Sequence, residues 1–337
     1  MPRFLLASAL ALAALVATAM LADALFPPDL GRARSTSTVV LAEDRAMLRP
    51  FETADGKWRL AVRADDVDPR YLALLRAYED HRFFDHRGVD PPALLRAAGQ
   101  WLRAGHVVSG GSTLTMQVAR LLEPRPRGIG AKLRQIARAL QLEARYDKNE
   151  ILALYLTLAP FGGNLEGVRA ASLAYFGKEP ARLSLGEAAL LVALPQSPER
   201  LRPDRHPEAA TRGREKVLNR LRDAGAITPQ EFAEAAAVPL SQQRLAFPFH
   251  APHLAQRFAA AASPGTVIAT LIDGPLQQRV ERLARDERRW FGDGANLAVV
   301  IVENRTRAVR AYSGAPISSR PPARSISRKA AARRARR

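Results

Sequence analysis

The chain has 337 residues, 47% of them hydrophobic and 25% charged, a balance that excludes a wholly disordered or fibrous protein and leaves enough apolar residues for one large core or two smaller ones. Its formal net charge of +18 suits polyanionic partners: nucleic acid, anionic lipid head groups or phosphorylated substrates. Cysteine is absent, which removes disulfide frameworks, thiolate zinc sites and cysteine nucleophiles.

Residues 4–22 carry no charge and lie between Arg3 and Asp23. As a helix they would span roughly 28 Å, close to the thickness of a bilayer core. The stretch therefore reads as a single transmembrane signal anchor, longer than the apolar region of a secretory signal. A cleaved signal peptide is the competing reading, because Ala17-Thr18-Ala19 and Ala22-Asp23-Ala24 resemble small-residue cleavage sites. Either way the rest of the chain is expected on the periplasmic side of the inner membrane, which argues against nucleic acid as the partner of the basic surface. Residues 23–59, rich in Pro, Gly, Ser and Thr, read as a linker with a strand or two.

From Asp68 to Val238 apolar residues recur at spacings of three and four, with breakers between segments. The spacing predicts helices over 68–80, 91–104, 112–122, 131–146, 148–158, 165–175, 184–194, 207–224 and 229–236. Ser184 with Glu187 forms a capping box, and prolines stand in first turns at Pro91-Pro92 and Pro229. Beyond Pro239 the pattern changes. Segments 266–272, 297–302 and 308–312 are rich in Val, Ile and Ala, and the last two flank a polar turn, so they read as a hairpin opening a second, α+β domain over 241–317. Residues 318–337 hold 8 basic residues and no acid, and should be a disordered tail.

Three segments can carry chemistry. On the helix over 68–80, Tyr71, Leu72, Leu75 and Tyr78 share a face with Glu79, while Asp80 points elsewhere. A carboxylate on an apolar face is suited to proton transfer; a structural pair with Arg82 is the plain alternative. His81 and His86, five apart, have no third partner, so no metal ligand is assigned. In the second segment, Gly110-Gly111-Ser112-Thr113 opens a helix and can offer backbone N–H groups and hydroxyls to phosphate or sugar; an ordinary Ser or Thr cap explains it equally. The third, 125–146, sets apolar residues 133, 136, 137, 140 and 144 inward and crowds Arg127, Lys132, Arg134, Arg138 and Arg145 on the remainder. Lys132 shares a face with Gln135. Such cations can hold a pyrophosphate or merely face solvent.

Together and in this order the segments resemble glycosyltransferase family 51, the peptidoglycan glycosyltransferase domain of class A penicillin-binding proteins and monofunctional transglycosylases. Glu79-Asp80-His81-Arg82-Phe83-Phe84-Asp85-His86-Arg87-Gly88 is similar to the family's first motif and Gly110 to Gln117 to its second. Lys132 to Gln135 matches the third, Lys148 to Thr157 the fourth and Gly167 to Lys178 the fifth, with Leu194-Pro195-Gln196-Ser197-Pro198 closing the domain. Met116, Gln135 and Thr157 depart from the usual Gln, Glu and Asn, which narrows the resemblance to the 1C branch.

The resemblance implies a mainly α, lysozyme-like domain over 60–240, preceded by a transmembrane helix and followed by a fragment of an α+β transpeptidase domain. No Ser-x-x-Lys or Lys-Thr-Gly occurs, so transpeptidation is not expected. It implies Glu79 as the catalytic base, with Gln135 at a position that assists catalysis on the donor side. Asp80, Arg82, His86, Gly110, Gly111, Ser112, Thr113 and Gln117 would bind substrate, and Arg120, Arg127 and Lys132 would hold the pyrophosphate. A divalent cation, Mg or Mn, would help without being strictly required. The implied partners are lipid II, the growing glycan strand, the inner membrane and other cell-wall synthesis proteins. A lytic muramidase and a non-catalytic lipid II or glycan binder are the alternatives.

Overall fold

The computed structural model describes residues 23–104, 111–126, 128–287, 290 and 297–314, with Ala17 and Leu21 as isolated positions ahead of them. No helix among the described residues is long and apolar enough to cross a membrane. The apolar run 4–22, apart from Ala17 and Leu21, lies outside the described residues, as do Gly110, Arg127 and the tail 318–337.

The chain divides into two compact units. The first comprises Met1–Val39, Pro50–Phe247 and Ser263–Thr266; the second comprises Val40–Arg49, Pro248–Ala262 and Val267–Arg337. The first unit holds nine helices of eight or more residues among the described residues: α1 Pro69–Glu79, α2 Pro91–Ala104, α3 Leu114–Leu122, α4 Ile129–Glu143, α5 Lys148–Leu158, α6 Val168–Phe176, α7 Leu185–Ala193, α8 Pro207–Asp223 and α9 Pro229–Ala237. Their starts follow the sequence. Asp68, Thr113, Asp147, Ser184 and Thr228 each cap a helix with a side-chain oxygen, and Ser184–Glu187 closes its capping box as read.

Helix α7 is the hub. Residues Ala188 to Ala193 are all buried, and α1, α8 and α9 pack around it. Gly186 permits the closest approach, since a Cβ there would lie 2.6 Å from the carbonyl oxygen of Ala235. A second cluster sets α3 against α4 and α5.

The segment read as a linker is more structured than its composition suggests. Trp58–Arg59 forms strand β3, which pairs in parallel with β4, Leu165–Glu166. Arg59 is fully buried there, and its Nε donates to Glu166 Oε2 at 2.7 Å. The helix expected over 165–175 is split accordingly: two residues go to β4, and α6 starts only after Gly167, whose φ of +85° needs glycine.

The second unit contains all but the first residue of β1 Val39–Leu41, all but the last of β2 Met47–Pro50, and β5 Val267–Ala269, ordered β2-β1-β5; the hairpin β6 Val299–Val302 and β7 Val309–Ser313; and helices α10 Pro252–Ala261 and α11 Gly274–Glu287. The hairpin is antiparallel as its sequence predicted. The strand expected over 266–272 shrinks to three residues, and helices α10 and α11 were not anticipated. In α11 the buried residues Gln277, Val280, Glu281 and Ala284 form its inner face. Two of the four are polar, so the apolar periodicity is weak. Gln277 and Glu281 satisfy one another, with Gln277 Nε2 donating to Glu281 Oε1 at 2.7 Å.

Candidate active site

Glu79 is the last residue of α1 and lies at the wall of an open cleft of about 1240 Å³. Its helix buries Tyr71, Leu74, Leu75 and Tyr78, so Leu74 takes the place anticipated for Leu72, which is only half-buried. The carboxylate is gripped by two amides. Gln117 Nε2 donates to Oε2 at 2.9 Å, and Gln196 Nε2 donates to Oε1 at 3.0 Å. A carboxylate oxygen accepts at two lone pairs, so each oxygen keeps room for a hydroxyl proton. The alternative pairing with Arg82 does not occur, because Arg82 is an ion partner of Asp90. Burial pushes the Asp90 pKa up, but hydrogen bonds from Arg82 and the Ala93 N–H outweigh it and hold the carboxyl below its ordinary value.

Asp80 works behind the site. Its side chain is buried; Oδ2 accepts the Leu114 N–H at 2.9 Å, and His86 Nε2 lies 3.0 Å from Oδ1. The carboxylate thus ties the end of α1 and the loop carrying His86 to the first turn of α3. The other ring nitrogen, Nδ1, is buried without a hydrogen-bond partner among the described residues. The loop also closes on α4: Gly88 has φ +82°, and a Cβ there would lie 2.8 Å from the Ala139 carbonyl oxygen.

The start of α3 is less available than its sequence implies. Thr113 donates to the Gly88 carbonyl at 2.6 Å and accepts the Met116 N–H at 3.1 Å, while the Leu114 N–H belongs to Asp80. Gly111, Ser112, Gln117 and Arg120 remain along the cleft wall. Lys132, from α4, reaches across to donate to Ser112 Oγ at 2.5 Å. Burial, and after it the charge of Arg120, lowers the Lys132 pKa.

One expectation for α4 is corrected. Its apolar stripe does not pack inward: Ile129, Leu133 and Leu140 are 83%, 62% and 49% exposed, while Ala139 and Leu142 are buried. Amphipathic spacing shows that a helix has an apolar face but not which neighbour covers it. Gln135 does not line the cleft with Glu79; it borders a separate small hollow with Glu123, Arg125, Arg134 and Arg138.

That hollow does not suit a divalent cation. Its one carboxylate, Glu123, lies 3.0 Å from Arg134 Nε and 2.8 Å from Arg138 Nε, so arginines already neutralise it. In the cleft, Asp80 is taken up by the Leu114 N–H and His86 and Asp90 by Arg82, while Glu79 is held by two neutral amides. Among the described residues no group of three or more acids and histidines is placed to hold a metal ion.

Several cleft residues were not found by sequence reasoning: Arg76, Arg96, Gln196, Lys216 and Arg220. Gln196 stood within a quoted motif without a role. Lys216 and Arg220 share a helical face by their spacing of four, but nothing in the sequence attached that face to Glu79.

A family model described as "Transglycosylase" matches residues 44–222. Penicillin-binding protein 1C of Escherichia coli (strain K12) is 46% identical over 87% of this chain and 38% of its own length. Penicillin-binding protein 1A of Aquifex aeolicus (strain VF5) is 41% identical over 58% of this chain and 27% of its own. A crystal structure of penicillin-binding protein 1A from Haemophilus influenzae aligns with 78% of this chain and 31% of its own at 19% identity and a TM-score of 0.37. The chain therefore spans well under half the length of the curated relatives it matches. With the family model matching more than half its residues and the Glu79 cleft lying on that matched segment, the chain belongs to the transglycosylase family.

Proposed function

We propose that this chain is a peptidoglycan glycosyltransferase that polymerises lipid II into glycan strands. The observation that carries the reading is Glu79, held open to a cationic cleft by two amide donors. In the reaction the 4-hydroxyl of the acceptor sugar attacks C1 of the lipid-linked donor. Glu79 takes the hydroxyl proton as the new C1–O bond forms, and the bond from C1 to the pyrophosphate oxygen breaks with inversion. The departing pyrophosphate keeps the electron pair. A positioned base supplies about 10²–10⁴-fold, and cations aimed at the leaving group stabilise its developing charge. Arg120 lines the cleft one helical turn from Gln117, and Lys132 stands behind Ser112. Gly111, Ser112 and Gln117 supply polar contacts to sugar hydroxyls, whereas Asp80, His86 and Thr113 hold the scaffold.

The exposed apolar stripe of α4 supports a catalytic unit lying against the inner membrane on its periplasmic side. The segment that leaves the apolar run 4–22 is tied to the end of the same helix and the residues just after it: Gln141 donates to the Phe26 carbonyl at 3.1 Å, and Arg145, two residues past the helix, pairs with Asp23 at 2.6 Å. A lipid tail entering the cleft would therefore find apolar surface beside the cations. The test is incubation of the detergent-solubilised chain with labelled lipid II. The reading predicts a ladder of longer glycans on a gel; shortened preformed glycan would mark a lytic muramidase instead, and binding without either product a lipid II binder.

A further inference from the structure

We propose that Lys216 and Arg220 of α8 form a subsite for the free carboxylates of the substrate's peptide, an inference that rests on the glycosyltransferase reading above. Both residues line the cleft, four apart on one face of the helix. Neither makes an ion pair among the described residues, whereas Asp80 and Asp90 of the same cleft are paired with His86 and Arg82. The guanidinium of Arg220 lies over the ring of Tyr78 at 4.8 Å. No hydrogen bond or ion pair among the described residues uses its N–H fork, which suits a two-point contact with a carboxylate. The Tyr78 hydroxyl lies 3.5 Å from Gln196 Oε1, and the amide of Gln196 holds Glu79. These cations therefore stand on the Gln196 side of the base.

Arg120 and the Lys132–Ser112 pair stand on the other side, on α3 and α4, whose exposed Ile129, Leu133 and Leu140 offer a lipid tail apolar surface. A pyrophosphate that remains attached to a lipid needs such surface close by. Helix α8 offers none. It exposes no large hydrophobic side chain, and its outer positions include Glu208, Arg212 and Arg222. An anion that reaches α8 must come from the water-facing part of the substrate, and in a lipid-linked disaccharide-peptide that part is the peptide with its carboxylates.

The test compares lipid II bearing free peptide carboxylates with lipid II whose carboxylates are amidated. Equilibrium binding is measured on the full chain in detergent in a Glu79→Gln background, so that turnover does not intervene. The carboxylate form should bind about three- to tenfold more tightly, the range expected of partly exposed charge pairs. Lys216→Gln/Arg220→Gln should abolish that preference while leaving affinity for the amidated form within twofold. Because Arg220 also packs on Tyr78, Lys216→Glu provides a second variant at an exposed position, and it should reverse the preference. Equal binding of the two forms by the parent chain, or a preference that survives both variants, overturns the subsite. Absence of polymer from the chain with Glu79 intact, with the preference present, would overturn the enzymatic reading and uphold the subsite.

Discussion

Asp80 is the residue on which the geometry around Glu79 most depends. Asp80→Ala removes the acceptor for the Leu114 N–H and for His86 Nε2. A hydrogen bond to a charged group contributes about 1.5–3 kcal/mol, and leaving a buried partner unsatisfied costs about 1–3 kcal/mol. His86 has only 8% of its side chain exposed and already buries Nδ1 without a partner, so water cannot readily replace the lost contact. The sum is about 2.5–6 kcal/mol, which at about 2–4 °C per kcal/mol for a unit of this size lowers Tm by about 5–24 °C. Asp80→Asn keeps an acceptor for Leu114 and should cost about 1–2 kcal/mol. Thermal unfolding followed by circular dichroism measures both. A loss below about 1 kcal/mol for Asp80→Ala, or equal losses for the two variants, would refute the claim that this carboxylate fastens α1 to α3.

Lys132 predicts a pH dependence. Because its pKa is lowered, the lysine charge disappears at lower pH than in a free lysine, and the polymerisation rate should fall on the alkaline side as pH rises through that lowered value. Between the folded and unfolded pKa values the unfolded chain binds more protons, so stability should rise over the window in which activity falls; Lys132→Arg should move the alkaline limb upward, and an unmoved limb would assign it to another group. Gly88→Ala places a Cβ 2.8 Å from the Ala139 carbonyl oxygen at a positive φ and should cost about 2–3 kcal/mol in urea unfolding; a neutral effect would show that the loop does not close on α4 as described. Polymerisation should survive EDTA, since among the described residues no three acids or histidines are grouped to hold a cation. Complete loss restored by magnesium would mean that the engaged carboxylates rearrange.

Much of this was legible in the sequence for physical reasons. Capping residues and proline at first turns act within four residues of the helix they start, so α3, α5, α7 and α9 begin within two residues of their predicted starts. Glu79 stood out as an acid on an apolar face, which left a structural pairing equally open; the resemblance, not the spacing, gave it the role of base. What depended on partners remote in sequence was not. Gln196 is 117 residues from Glu79, and no local pattern announces their contact. The outward turn of Ile129, Leu133 and Leu140 depends on what packs against α4, and the Gly88 loop settles that only in three dimensions. Nor does anything local mark Arg59, within the stretch read as a linker, as a buried residue: β3 pairs with β4 and brings Glu166 beside it.

The most direct test of the account is polymerisation of labelled lipid II by the chain and by Glu79→Gln, with unfolding and lipid II binding measured on the same preparations. The substitution keeps the size of the side chain and one acceptor oxygen while removing the base. The account predicts glycan ladders from the unsubstituted chain, a rate about two to four orders of magnitude lower for Glu79→Gln, and little change in Tm or in lipid II affinity. A variant that retains more than about a tenth of the rate would contradict the assignment of Glu79 as the base.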